Sequence, residues 1–156
     1  MTGAGSVPPT ERLASWISTV GPVGYCPVGP GTAAAILSLG AVFVLVRWVG
    51  INAWIPVFFP TLIIGQWACA HIPSQWGADP KRVVVDEVAG QMLAVALLPP
   101  SAHLYLAAFV LFRFLDIWKP GPIRLIETRA GAWAVMGDDL LAGGVARLIL
   151  AGIQLG

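Results

Sequence analysis

The chain has 156 residues, of which 57% are hydrophobic and only 11% are charged, and its formal net charge at pH 7 is +1. A soluble domain carries about 25% charged residues, so the composition argues against one and predicts an all-α, polytopic membrane helical bundle. The small net charge also argues against a nucleic-acid-binding protein, which would need a clustered basic face. At this length we expect one domain, residues 24–156, preceded by a partly flexible N-terminal tail, residues 1–23.

Five apolar runs predict about five membrane segments, because a helix needs about 20 apolar residues to cross the bilayer core. In chain order the runs cover residues 33–49, 51–72, 86–99, 101–118 and 138–155. The apolar part of the third run, VAGQMLAVALLPP, has only 13 residues. This segment is therefore predicted to be short, with a re-entrant helix as the alternative to a full crossing.

The positions of Lys and Arg predict the orientation, since these residues are enriched in short cytoplasmic loops. If the N-terminus is cytoplasmic and all five runs cross, six cations fall on the inner side: Arg12, Lys81, Arg82, Lys119, Arg124 and Arg129. This asymmetry favours five crossings with the N-terminus inside.

Five of the eight acidic residues fall at the same membrane face in this topology, at helix ends. They are Asp86, Glu87, Asp116, Asp138 and Asp139. A single acid at a helix start is often a solvated cap that favours the helix dipole, and this alternative stays open for Asp138. The adjacent pairs in VVVDEVAGQ and GDDLLAG repel unless a cation lies between them. Hard carboxylate oxygens suit Mg²⁺, so the group predicts a magnesium site.

Basic residues accompany these acids in RFLDIWKPGPIR. Arg113, Asp116 and Lys119 are spaced three apart, which predicts that they share one helix face. The prolines are expected to end that helix, with Arg124 in the following turn. Cations beside a metal site can bind phosphate. The alternative is a salt bridge between Arg113 and Asp116 that only neutralises buried charge.

A Gly/Pro-rich stretch, GYCPVGPGT at residues 24–32, precedes the first apolar run. Gly31 and Thr32 are predicted to form the entry to a helix, with Thr32 as its N-cap. Exposed backbone amides at a helix start can bind anions, so this loop is a candidate part of a phosphate site.

Four stretches, GYCPVGPGT, VVVDEVAGQ, FRFLDIWKPGPIR and GDDLLAG, resemble in their order and spacing the phosphatidylglycerophosphatase A family, from about residue 24 to the C-terminus. The resemblance implies a Mg²⁺-dependent phosphatase of the bacterial cytoplasmic (inner) membrane that hydrolyses phosphatidylglycerophosphate to phosphatidylglycerol and inorganic phosphate. Its active site would face the cytoplasm. The implied catalytic and metal-binding residues are Asp86, Glu87, Asp116, Asp138 and Asp139, and the candidate phosphate-binding residues are Arg113, Lys119, Arg124, Thr32 and Gly31.

Other functions remain as alternatives. One is a phosphatase acting on another lipid phosphate, such as phosphatidic acid. A second is a cation transporter or channel subunit, which would need acids near the bilayer midplane. The expected partners are the bilayer and a phospholipid substrate. A homo-oligomer is also an option, because Gly143, Gly144 and other small residues of the last helix could pack against a second copy.

Overall fold

The computed structural model describes residues 7–77, 80–121, 123 and 132–155, and within these ranges it contains six α-helices and no strand. The prediction of an all-α fold is thus confirmed. The helices are α1 (Pro9–Ser18), α2 (Pro30–Val49), α3 (Trp54–Ala70), α4 (Val85–Ala94), α5 (Ala102–Trp118) and α6 (Ala132–Leu155). Helix α1 lies within the segment predicted as an N-terminal tail and packs against α3.

Two segments, Pro30–Val49 and Ile51–Ala70, are long and apolar enough to span a membrane. A helix of 20 residues is about 30 Å long, which matches the hydrocarbon core of a bilayer. Large apolar side chains are also exposed on the outer faces of the helices, including Ile36, Val44, Ile63, Val110 and Leu148. Such faces suit contact with lipid.

The helices alternate in direction around the short helix α4. Gly90 of α4 contacts Gly143 of α6, and Ala96 beyond α4 contacts Arg147 further along α6, so these two helices run parallel. On α3 the order is reversed, because Gly65 lies against Val85 whereas Trp54 bonds to Met92. Helix α5 also runs opposite to α4, since Phe112 lies beside Gly90 and Asp116 lies nearer the start of α4.

Helix α4 has only ten residues, or about 15 Å, and its neighbours supply hydrogen bonds to its carbonyl groups. Ser38 Oγ donates to the Val88 carbonyl at 3.0 Å, and Trp54 Nε1 donates to the Met92 carbonyl at 2.7 Å. Just after the helix, Arg147 Nε donates to the Ala96 carbonyl at 2.5 Å. Buried carbonyl groups need such partners, so helices α2, α3 and α6 make a short central helix tolerable.

Candidate functional site

Helices α4 and α6 cross at two glycines. A Cβ on Gly143 would overlap the Gly90 carbonyl, and a Cβ on Gly90 would lie 2.7 Å from the Asp139 carbonyl oxygen. Only glycine permits this backbone approach, as in the small-residue contacts of membrane helices. The crossing sets the two helices side by side with the residues one turn before each glycine facing one another.

Three carboxylates meet at that point. Asp86 and Glu87 of α4 and Asp139 of α6 each offer one oxygen, and these atoms all lie within 4.8 Å of one another. Asp86 and Asp139 are nearly fully buried, at 8% and 4% exposed. Like charges this close repel strongly where water is scarce, so a compensating positive charge would stabilise the arrangement. Oxygens at this spacing are the donor set that a hard divalent ion takes.

The hydrogen bonding of these three carboxylates is incomplete. The backbone amide of Glu87 donates to Asp86 Oδ1 at 3.0 Å. Glu87 Oε2, in contrast, is buried without a hydrogen-bond partner among the described residues. A buried carboxylate oxygen without a partner is costly, and a bound metal ion would remove that cost. The residues present therefore fit a divalent metal.

The end of α5 adds a fourth carboxylate with a cation attached. Arg113 Nη1 donates to Asp116 Oδ2 at 2.5 Å, one turn along the helix. The Asp116 carboxylate also lies close enough to Asp139 and Glu87 to interact electrostatically with both. The salt bridge between Arg113 and Asp116, considered above as an alternative, is thus formed. It lies beside the three carboxylates rather than apart from them.

Lys119 reaches the site by a different route from the predicted one. Helix α5 ends at Trp118, and Lys119 takes a left-handed conformation with φ +43°. The expectation that Lys119 shares a helix face with Arg113 is therefore wrong, because Pro120 disfavours the helical conformation of the residue before it. The turn directs Lys119 Nζ to Asp138 Oδ2, at 2.7 Å.

The two aspartates of α6 have separate surroundings. Helix α6 begins at Ala132, so Asp138 and Asp139 lie about two turns into it and do not open it as predicted. Adjacent residues of a helix point about 100° apart. Asp139 consequently faces α4, whereas Asp138 faces Lys119 and accepts a hydrogen bond from the Asp139 amide at 3.1 Å.

The start of α2 closes the site from another side. A Cβ on Gly31 would overlap Glu87 Oε1, so the glycine lets the Glu87 carboxylate lie against the α2 backbone. The helix begins at Pro30 and Gly29 occupies the cap position with φ +58°, which corrects the prediction of Thr32 as N-cap. Proline suits the first helical position and glycine suits the left-handed one. Thr32 therefore lies within the first turn. Arg124 lies outside the described residues.

Sequence reasoning missed the role of Gly90 and Gly143 as the crossing point. A signal was present, because DEVAG in α4 and DLLAG in α6 share the pattern D-x-x-A-G. The alanines of both copies, Ala89 and Ala142, are fully buried. Gly143 is thus occupied by a contact within the chain, and the idea that it packs against a second copy does not fit its position.

Comparison with known proteins identifies the family of this chain. The family model for phosphatidylglycerophosphatase A matches residues 16–154. A protein of Bacteroides thetaiotaomicron named "Putative phosphatidylinositol-3-phosphatase" is 37% identical over 141 residues, covering 82% of this chain and 85% of the relative.

Two further relatives are named phosphatidylglycerophosphatase A. The Escherichia coli protein is 31% identical over 130 residues, covering 81% of this chain and 75% of the relative. The Haemophilus influenzae protein is 30% identical over 128 residues, covering 80% and 78%. No solved structure matches the chain. Since the family model spans all but the two ends, this chain belongs to the phosphatidylglycerophosphatase A family.

Proposed function

We propose that this protein is a metal-dependent phosphatase that hydrolyses phosphatidylglycerophosphate to phosphatidylglycerol and inorganic phosphate. The observation that carries the proposal is the group of three carboxylates, Asp86, Glu87 and Asp139, whose oxygens lie within 4.8 Å of one another. Two cation–carboxylate pairs adjoin it. Family membership and the names of the Escherichia coli and Haemophilus influenzae relatives support the choice of substrate.

In this proposal Asp86, Glu87 and Asp139 would hold Mg²⁺. The ion, when bound, would stabilise negative charge on the phosphate oxygens. Gly31 contributes by leaving room for the Glu87 carboxylate, and the glycine contact between α4 and α6 keeps Asp139 opposite Asp86. Precise positioning of charge dominates phosphoryl transfer, which is why the close backbone contacts matter for activity.

Arg113 and Lys119 would donate hydrogen bonds to the phosphate oxygens of the substrate. Asp116 and Asp138 hold these two cations in place, so we assign them to positioning. One carboxylate of the site would accept a proton from the attacking water as its oxygen bonds to phosphorus. The bond from phosphorus to the glycerol oxygen would break, and that oxygen would take up a proton to leave as the alcohol. Arg124 remains a further candidate for phosphate binding.

We also propose a single domain, residues 24–156, that crosses the bacterial cytoplasmic membrane five times with its N-terminus and active site on the cytoplasmic side. The alternating helix directions fit five crossings. The carboxylates fit too, because they lie near one end of the bundle, where α2 and α4 begin and α5 ends. Acids at one end of a bundle favour an interfacial reaction over a transport site, which would lie near the midplane.

Hydrolysis of a different lipid phosphate is the second candidate, and one observation favours it. The Bacteroides thetaiotaomicron relative, at 37% identity, carries the name of a phosphatase for another lipid phosphate, phosphatidylinositol 3-phosphate. Both reactions would use the same carboxylates and cations, so the site chemistry is common to the two. The difference lies in the alcohol part of the head group.

Phosphate release by the purified protein tests the proposal. The assay compares phosphatidylglycerophosphate, phosphatidic acid and phosphatidylinositol 3-phosphate in detergent micelles, each with Mg²⁺ and with a chelator. We expect Mg²⁺-dependent release, with the highest kcat/KM for phosphatidylglycerophosphate. A higher kcat/KM for one of the other lipids would identify that lipid as the preferred substrate instead. Phosphate release unaffected by the chelator would contradict the metal dependence.

A further inference from the structure

A groove of about 310 Å³ lies outside the carboxylate site, between α1 and the turn at Ser74–Trp76. Its wall combines aromatic and basic side chains, among them Trp16, Tyr25, Trp76 and Arg12. No acidic residue is among the described residues that line it. The groove is therefore suited to an anionic ligand with an apolar part.

Arg82 is held at the edge of this groove by two aromatic rings. Its guanidinium carbon lies 5.0 Å from the ring centre of Trp76 and 5.6 Å from that of Tyr25. Both distances are typical of cation–π contacts. The ion pairs among the described residues do not include Arg82. Rings over a guanidinium leave N–H groups at its edge, and this planar fork matches the oxygens of a phosphate.

Helix α1 has the character of a helix that lies at a membrane surface. Ala14 and Ser18 are buried against the protein, whereas Trp16 and Leu13 are 68% and 54% exposed. Arg12 on the same short helix is also exposed. Helices with an apolar exposed face and a basic residue lie in the interface between lipid head groups and acyl chains, and Trp is enriched there.

The groove is connected by backbone contacts to the end of the helical bundle that contains Asp86 and Glu87. The Val84 amide donates a hydrogen bond to the Ser18 carbonyl at 2.8 Å, which links the end of α1 to the residue before α4. Gly24 fits against the Arg82 carbonyl, where a Cβ would overlap it. The groove thus lies at the same end of the bundle as Asp86 and Glu87.

We propose that this groove binds the phosphodiester head group of an anionic phospholipid at the bilayer surface. Arg82 and Arg12 donate hydrogen bonds to the phosphodiester oxygens, and Trp16 and Leu13 enter the interface beside the bound lipid. The site is separate from the one that would cleave a phosphomonoester, and it does not depend on which lipid is hydrolysed. A lipid bound in this groove would keep the end of the bundle that contains Asp86 and Glu87 at the membrane surface.

The test measures retained lipid on the full-length protein, without turnover. The protein is purified in a neutral detergent, mixed with equal amounts of phosphatidylglycerol and phosphatidylcholine, and analysed by native mass spectrometry. Wild type is expected to retain phosphatidylglycerol preferentially. Arg82→Gln is expected to lower that retention about 10-fold, which is the effect expected for losing a hydrogen bond between charged groups. Arg12→Gln should lower it in the same direction.

Arg47→Gln is the matched control, because it removes the same charge from an exposed position near the far end of α2. It should retain phosphatidylglycerol as wild type does. Equal retention of the two lipids by wild type, or equal losses in the Arg47 and Arg82 variants, would overturn the proposal. Unchanged retention in both the Arg82 and Arg12 variants would overturn it as well. Lipid retention with no phosphatase activity on any lipid phosphate would contradict the proposed function and leave this inference standing.

Discussion

At the contact between α4 and α6, three carboxylates gather without an ion pair to any described Lys or Arg, whereas the carboxylates near the end of α5 each have a basic partner. Asp86, Glu87 and Asp139 form the first region. Asp116 with Arg113, and Asp138 with Lys119, form the second. The same residue type therefore has two sets of surroundings in adjacent parts of the site. In the proposed function the first region binds a metal cation, and the second holds cations of its own that can bind an anion.

The largest effect should follow from a change in the first region. Asp139→Asn keeps the size of the side chain but removes one negative charge from the group of three. Loss of residues that merely support metal ligands costs about 10–100-fold, so a direct ligand should cost at least about 100-fold in kcat/KM. Phosphate release at saturating Mg²⁺ measures this. Activity within a few-fold of wild type would remove Asp139 from the metal site.

The glycine crossing that holds this region together should be nearly as sensitive. In Gly143→Ala the new methyl group overlaps the Gly90 carbonyl, which forces α6 away from α4. We expect a loss of about 1–3 kcal/mol in stability, as for other overpacked sites. A shift of about 1 Å in a catalytic group can cost about 100-fold in rate, so kcat should fall by up to that factor.

Gly144→Ala is the control for this change, because its Cβ would make only an ordinary contact with Leu93, at 3.8 Å. Thermal unfolding and phosphate release are measured on both variants in the same detergent. Equal effects of the two substitutions would show that the close approach of Gly90 and Gly143 has no special importance.

A change in the second region should affect substrate binding more than metal binding. Lys119→Met removes the cation that bonds to Asp138. Hydrogen bonds between charged groups contribute about 1.5–3 kcal/mol, so we expect KM to rise about 10–100-fold while the Mg²⁺ concentration for half-maximal activity changes little. Titrations of substrate and of Mg²⁺ separate the two effects. A large change in the Mg²⁺ requirement would place Lys119 or Asp138 in the metal site instead.

The smallest effect is expected where only the support of α4 is altered. Trp54→Phe removes the hydrogen bond to the Met92 carbonyl. Hydrogen bonds between membrane helices contribute about 0.6 kcal/mol on average, so the free energy of unfolding should fall by at least roughly this amount, and the smaller buried ring adds to the loss. Trp48→Phe, at an 82% exposed position, is the control. Equal melting temperatures for the two variants would show that this bond does not stabilise α4.

Much of this organisation could be predicted from the sequence. The low charge and five apolar runs predicted an all-helical protein, and the DE and DD pairs were expected to come together with RFLDIWKPGPIR. The different surroundings of Asp138 and Asp139 could not be predicted, because they depend on how α6 is rotated about its axis. That rotation is set by the contact of Gly143 with Gly90, which lies 53 positions away in the chain.

Two local errors have physical causes as well. Thr32 is a good N-cap residue, but Pro30 and Gly29 together start the helix three residues earlier. Lys119 continued a plausible helical spacing, yet the following proline ends the helix at Trp118. In both cases the backbone preference of proline outweighed the side-chain pattern. The groove beside α1 was missed because its parts come from three separate segments, at residues 7–25, 73–76 and 82.

The most direct test of the difference between the two carboxylate regions is metal binding in the absence of substrate. Mn²⁺ serves as a paramagnetic probe for the Mg²⁺ site, and its binding to wild type, Asp139→Asn and Asp116→Asn is measured by electron paramagnetic resonance in detergent. If the unpaired carboxylates hold the metal and the paired ones hold cations, Asp139→Asn loses saturable Mn²⁺ binding and Asp116→Asn keeps it. Wild-type affinity in Asp139→Asn, or loss confined to Asp116→Asn, would contradict this division.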